Sequence, residues 1–137
     1  MYKGSCLCGK VTFEICGKID SIVYCHCSLC RKAQGSAFAT NGVVKRKDFH
    51  FLQGEEELSV YESSPGHHKH FCKHCGSPIM SSSDQTPAQI RIRLGTIESP
   101  IRERPEAHIF ASSKANWDTI GDDLPQYPGY EPKRQKT

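Results

Sequence analysis

No stretch of this chain stays apolar for long enough to cross a membrane. A span needs roughly 18 consecutive apolar residues, and every apolar run among the 137 residues is broken by charge, glycine or proline well before that. The opening residues, MYKGSCLCGK, hold no apolar core of signal-peptide length. The expected compartment is therefore the cytoplasm, where thiols stay reduced. A dominant charge is missing too. The chain has 18 basic and 15 acidic residues, and three of the basic ones, Lys133, Arg134 and Lys136, fall in the last five positions. Without them the body is balanced, 15 against 15. A nucleic-acid surface normally carries its basic excess on the body, so nucleic acid is not the expected partner, although VKRKDF is a local basic patch. Apolar residues make up only 36% of the chain. That is little for one domain of this size, so cross-links between its elements would help it fold.

Cysteine is what the chain has in excess. Eight are present, at 6, 8, 16, 25, 27, 30, 72 and 75. An even count in a secreted protein would suggest disulfides. Tight C-x-C and C-x-x-C spacings without a secretory signal point instead to metal.

Alternation places these cysteines among short strands. KVTFEI sets Val11, Phe13 and Ile15 on one face. SIVYC runs into a cysteine cluster, DFHFLQG alternates Phe49 and Phe51, and LSVYES stops at the turn pair Pro65-Gly66. QIRIRLG puts Ile90, Ile92 and Leu94 opposite its arginines, and AHIFAS is one more short strand. Helical periodicity is weak, with one short helix expected at SLCRKAQG, where Gly35 is a stop signal. The pattern predicts one mainly β domain over residues 1–132 and a loose basic tail over 133–137.

CLCG offers ligands at i and i+2. On a strand, Cys6 and Cys8 share a face and Leu7 points the other way, toward a core. CKHCG is a C-x-x-C turn that brings Cys72 and Cys75 together. Two such pairs make a tetrahedral four-thiolate zinc site, here a long-range staple. YCHCSLCRK supplies Cys25, Cys27 and Cys30 within six residues. His26 points off the ligand face and is a poor fourth ligand. Three protein ligands with an exchangeable fourth position characterise catalytic zinc. The alternative is a second structural site completed by Cys16, His70 or His108. A lone cysteine such as Cys16 is most often a small buried hydrophobe, and it is left out of both sites. His108, flanked by apolar residues in AHIFAS, reads first as a satisfied core histidine and second as an acid or base.

GSCLCGKVTFEI, CHCSLCRKAQGSAF, FCKHCGSPI, HIFASSKANW and DDLP, in that order, make the chain similar to the glutathione-dependent formaldehyde-activating family, which also includes centromere protein V. The most specific piece is the three-cysteine block followed by Arg31, Lys32, Gly35, Ser36 and Phe38. The resemblance implies a β-tent of small stacked antiparallel sheets. It implies two zinc ions per chain, a structural one on Cys6, Cys8, Cys72 and Cys75 and a catalytic one on Cys25, Cys27 and Cys30. It also implies a carbon–sulfur lyase that joins glutathione to formaldehyde as S-hydroxymethylglutathione and runs in reverse. No segment matches a glutathione-binding surface residue by residue. The expected partners are a small thiol such as glutathione and an aldehyde, with His108, His26 or a water moving the proton. The competing readings are a non-catalytic zinc module for protein or nucleic acid, and a zinc store or thiol redox sensor.

Overall fold

A computed structural model describes residues 1–134 of the chain. In chain order the elements are β1 (Tyr2–Ser5), β2 (Thr12–Ile15), β3 (Asp20–Cys25), α1 (Ser28–Gln34), β4 (Ala39–Lys45), β5 (Phe49–Gln53), β6 (Leu58–Ser64), β7 (His67–Cys72), β8 (Pro78–Ser83), β9 (Gln89–Arg93) and β10 (Ala107–Ile109). The chain is mainly β, as its alternation predicts. It forms two compact units, Met1–Asp20 with Gly42–Glu103, and Ser21–Asn41 with the segment from Arg104 onward.

The first unit contains a three-stranded antiparallel sheet in the order β1-β2-β5. Its middle strand shows the period of two: Phe13 and Ile15 are fully buried, while Thr12 and Glu14 between them are half-buried. Phe13 stacks on Phe49 with ring centroids 5.1 Å apart, and Phe49 meets Phe51 edge-on at 5.0 Å. A second run of strands, β9-β8-β7-β6, is antiparallel throughout. It buries Ile79, Met80, Ile90 and Ile92. Phe49 and Phe51 of one sheet and Met80 and Ile90 of the other line a common cavity of about 600 Å³. The expected QIRIRLG strand ends early. Leu94 starts a 3-10 turn, and Arg93 is itself buried.

The second unit is built on β3 and β10. They run parallel, with Ala107 opposite Val23, His108 opposite Tyr24 and Ile109 opposite Cys25. The sheets are therefore not antiparallel throughout, because the long connection between β3 and β10 allows a crossover that a hairpin does not. Val23, Cys25, Ala107 and Ile109 form the core here, and Cys27, Cys30, Phe110 and Tyr127 pack against it. Helix α1 lies where expected, and Gly35 ends it in the left-handed conformation.

Two residues of the expected tail fall in this unit. Lys133 Nζ donates to Ser21 Oγ at 3.0 Å, and Arg134 pairs with the buried carboxylate of Glu131 while lying 4.6 Å over the Tyr130 ring. Residues 135–137 lie outside the described residues.

Gly4 is where the first sheet tolerates no side chain. A Cβ there would stand 2.4 Å from Phe13 Cζ and 2.5 Å from the Thr96 carbonyl oxygen. Phe13 has no room to move, being fully buried against Phe49. Gly4→Ala is expected to destabilise the protein by about 1–3 kcal/mol, as over-packed cores do. Urea unfolding checks this, with a lower midpoint and an unchanged slope as the expected result.

Candidate metal centres

Cys6 follows the end of β1, and Cys72 is the last residue of β7. The segment after β1 is a turn rather than a strand, closed by Gly9 N–H donating to the Cys6 carbonyl at 3.1 Å. That geometry corrects the expected place of Leu7. It sits at the tip of the turn and is 85% exposed, instead of facing a core. The Cys72–Gly76 turn is the expected one. Gly76 N–H donates to the Cys72 carbonyl at 2.8 Å, and Gly76 sits at φ +77°, a region that side chains beyond glycine seldom adopt.

Together these turns place the sulfurs of Cys6, Cys8, Cys72 and Cys75 within 4.8 Å of one another. The Cys6–Cys8 separation is 3.6 Å and the Cys8–Cys72 separation is 3.8 Å. Four sulfurs at 2.3 Å from a central zinc are about 3.8 Å apart along a tetrahedral edge, so the donor set fits that ion. Disulfide bonding is excluded at these distances, and all eight cysteines are free. Backbone amides point at the sulfurs. Val11 N–H reaches Cys6 Sγ at 3.3 Å, and His74 N–H reaches Cys72 Sγ at 3.4 Å. Such donors favour the thiolate form. Burial pushes the Cys75 thiol up, but the Ser77 hydroxyl and amide and the Cys8 amide outweigh it and bring Cys75 down to about 5. At Cys8 the Lys10 amide acts downward, while burial and the neighbouring thiols raise it to about 11. One sulfur ionises easily and its neighbour resists, as close like charges must without a cation between them.

The second group lies in the other unit. Cys25 closes β3, Cys27 is the N-cap of α1, and Cys30 lies in the first turn of that helix. The shared strand face expected for Cys25 and Cys27 is therefore replaced by a strand-to-helix corner. Cys27 Sγ accepts from Cys30 N–H at 3.3 Å. The three sulfurs lie within 4.8 Å of one another, and among the described residues no fourth cysteine, histidine or carboxylate donor joins the group. The Cys30 sulfur beside it, and then burial, hold the Cys25 thiol far above its ordinary range. A divalent cation would reverse that by favouring thiolate.

Cys16 is exposed, against the expectation of burial, because β2 ends at Ile15 and leaves it at a surface turn; it belongs to neither group. His70 is half-buried, bonds Ser82 at 3.1 Å, and belongs to neither group. His108 is buried, with Nδ1 2.8 Å from His26 Nε2 and Nε2 2.9 Å from Asp122. Both its ring nitrogens are engaged. His26 is fully buried, and burial, followed by the nearby His108, shifts its pKa down. The His108 hydrogen bond holds Asp122 below the usual carboxylate range. No spacing rule joins His26, His108 and Asp122. DDLP enters the sequence reading as part of a resemblance, without a role for Asp122.

A family model described as glutathione-dependent formaldehyde-activating enzyme matches residues 1–113. A Halomonas elongata protein provisionally named as such an enzyme is 28% identical over 128 residues, covering 85% of this chain and 79% of the relative. A Schizosaccharomyces pombe protein described as an uncharacterized lyase is 27% identical over 78 residues, covering 57% of this chain and 55% of the relative. The crystal structure of a Rhodobacter sphaeroides protein superposes with a TM-score of 0.62 at 24% identity, covering 75% of this chain and 97% of that one. The last match speaks to the fold.

The two groups should carry different structural weight. Cys72→Ser is expected to unfold or insolubilise the protein, since a structural zinc contributes on the order of 10 kcal/mol to folding. Cys27→Ser should lose one metal ion and keep its strands. Metal analysis alongside circular dichroism distinguishes these outcomes, and equal collapse of both variants would count against a functional difference.

Proposed function

The chain belongs to the glutathione-dependent formaldehyde-activating enzyme family, and on that premise we propose that it is a zinc-dependent carbon–sulfur lyase acting on adducts of a small thiol and an aldehyde. The observation that carries this reading is the three-sulfur group of Cys25, Cys27 and Cys30, one donor short of a closed tetrahedral site. We assign the four-sulfur group of Cys6, Cys8, Cys72 and Cys75 to a structural zinc, giving two ions per chain and one working domain over residues 1–132. Both groups need reduced sulfur, which supports the cytoplasm as the working compartment.

Zinc on three thiolates would supply a fourth position at which a thiol is held as thiolate, the form that attacks an aldehyde carbon. The chain's own residues set up that position. The Cys30 amide stabilises the Cys27 sulfur, and Arg31 N–H donates to the Cys27 carbonyl at 3.0 Å. Phe110 and Tyr127 pack on the same cluster as Cys27 and Cys30 and give that group partly buried apolar neighbours. In the forward direction the thiol loses its proton, a carbon–sulfur bond forms and the aldehyde oxygen becomes a hydroxyl. The reverse returns thiol and aldehyde. We propose glutathione and formaldehyde as the substrates, by family. His108 enters as the middle of a hydrogen-bonded chain, since both its nitrogens are occupied.

A second reading is favoured by one surface feature. Lys45, Arg46 and Lys47 are consecutive and exposed, and they line a groove of about 700 Å³ with Pro87 and Ala88. A non-catalytic module could hold a polyanion there, with binding that falls steeply as salt rises.

Cobalt in place of zinc gives a visible spectrum that reports sulfur ligation. Glutathione, cysteine and other small thiols, added in turn, should each be scored for a saturable change that disappears in Cys27→Ser. The zinc protein with formaldehyde and the best thiol should accelerate adduct exchange, followed by NMR against the uncatalysed rate. A thiol other than glutathione would change the substrate and leave the reaction class. If no thiol alters the spectrum and no exchange is accelerated, the lyase reading fails.

A further inference from the structure

His26 lies between two of the three candidate ligands, and its ring is fully buried. Its Nε2 is 2.8 Å from His108 Nδ1. His108 Nε2 is 3.1 and 2.9 Å from the two carboxylate oxygens of Asp122. The chain of contacts thus runs from a partly exposed carboxylate, through a buried ring, to a second buried ring.

The hydrogens in this chain follow by counting. A carboxylate only accepts, so His108 Nε2 carries the hydrogen. With both rings neutral, each has one N–H, so His108 Nδ1 accepts. His26 Nε2 must then donate, which leaves His26 Nδ1 as a bare lone pair. That atom is buried and has no hydrogen-bond partner among the described residues. Its ring is covered by Phe38, with centroids 5.1 Å apart, and Asp118, Lys114 and Arg31 are the carboxylate and cations that act on it. Buried acceptors are almost always filled, so an empty one calls for an occupant.

We propose that Asp122, acting through His108, locks His26 in its Nε2–H tautomer and thereby reserves His26 Nδ1, within the Cys25–Cys27 segment, as the acceptor for an O–H donor. Asp122 and His108 are positioning residues in this arrangement. The donor is either an ordered water or the hydroxyl of the thiol–aldehyde adduct, and only the second rests on the lyase reading. Asp122 lies beyond residue 113, where the family match ends. The carbonyl of His26 is also held, by Arg31 Nε at 3.4 Å, and its amide donates to the Ile109 carbonyl at 3.0 Å. Ring and backbone together thus fix the segment that carries two of the sulfurs.

The test is long-range proton–nitrogen NMR on zinc-loaded protein labelled with ¹⁵N-histidine. Both His26 and His108 should show a pyrrole-type Nε2 and a pyridine-type Nδ1. A hydrogen on His26 Nδ1 would overturn the lock. Asp122→Asn should mix the tautomers of both rings while keeping the strand amide signals and the metal content. Where the donor is the adduct hydroxyl, its kcat should also fall about 10–100-fold with KM for the thiol unchanged, and Asp122→Glu should recover part of the loss. Unchanged tautomers in Asp122→Asn would also overturn the lock. If that variant fails to fold, the tautomers of the unaltered protein decide. A hydrogen-bonded Nδ1 signal in the resting protein identifies water. A signal that reaches that state only with thiol and formaldehyde present identifies the adduct hydroxyl. If it stays at the free value in both, the acceptor role is wrong. Locked tautomers in a protein that accelerates no exchange would sink the lyase reading and leave the lock standing.

Discussion

Four sulfurs that cannot all be charged without a cation govern the first unit. Cys6 and Cys8 come from the turn after β1, and Cys72 and Cys75 from the turn that ends β7. The group therefore ties the β1-β2-β5 sheet to the β9-β8-β7-β6 strands. Like charges at such separations repel, and these sulfurs stand 3.6 and 3.8 Å apart. The resistance of Cys8 to ionisation expresses that conflict. A divalent cation would resolve it and turn repulsion into a cross-link between the two sets of strands.

In the second unit the sulfurs mark a change of backbone regime. β3 ends on one of them, a second caps α1, and the third sits in the first turn of that helix. A corner of this kind has few local restraints, so restraint comes from its surroundings. His26 is anchored through its ring, its amide and its carbonyl. On the neighbouring strand, Phe110 leaves β10 with φ +53°, a left-handed conformation that a bulky residue adopts only when its surroundings impose it. The ring of Tyr130 meets Phe110 edge-on at 4.9 Å, and Arg134 in turn covers Tyr130. This aromatic contact holds a strained residue against the cluster of Val23, Cys25, Ala107 and Ile109, on which Cys27 and Cys30 also pack.

Both groups of cysteines were legible in the sequence because each half of each group is local. C-x-C and C-x-x-C spacings dictate turns whatever surrounds them, and period-two alternation marked the strands that carry the turns. The structure departs from these expectations chiefly where a strand stops. Alternation carried past the end of β1 points Leu7 to a core, and the usual burial of a lone cysteine points Cys16 inward. Because β1 ends at Ser5 and β2 at Ile15, Leu7 falls in a surface turn and Cys16 in an exposed loop. Likewise Cys25 and Cys27 share a corner rather than a face, because Cys27 already belongs to the helix as its cap.

The sequence by itself determined which cysteines pair within each turn, that the chain is mainly β, and that three thiols stand together without a local fourth. Tertiary structure decided everything that spans many residues. It brought Cys8 to Cys72, placed no distant donor on the three-sulfur group among the described residues, and joined His26 to His108 and Asp122. The reason is geometric. A turn is set by torsions that neighbouring residues fix among themselves. The meeting of His26 and His108, 82 positions apart, depends on the parallel register of β3 and β10, in which His108 lies opposite Tyr24. A shift of one residue in that register would turn the His108 ring to the other face of the sheet.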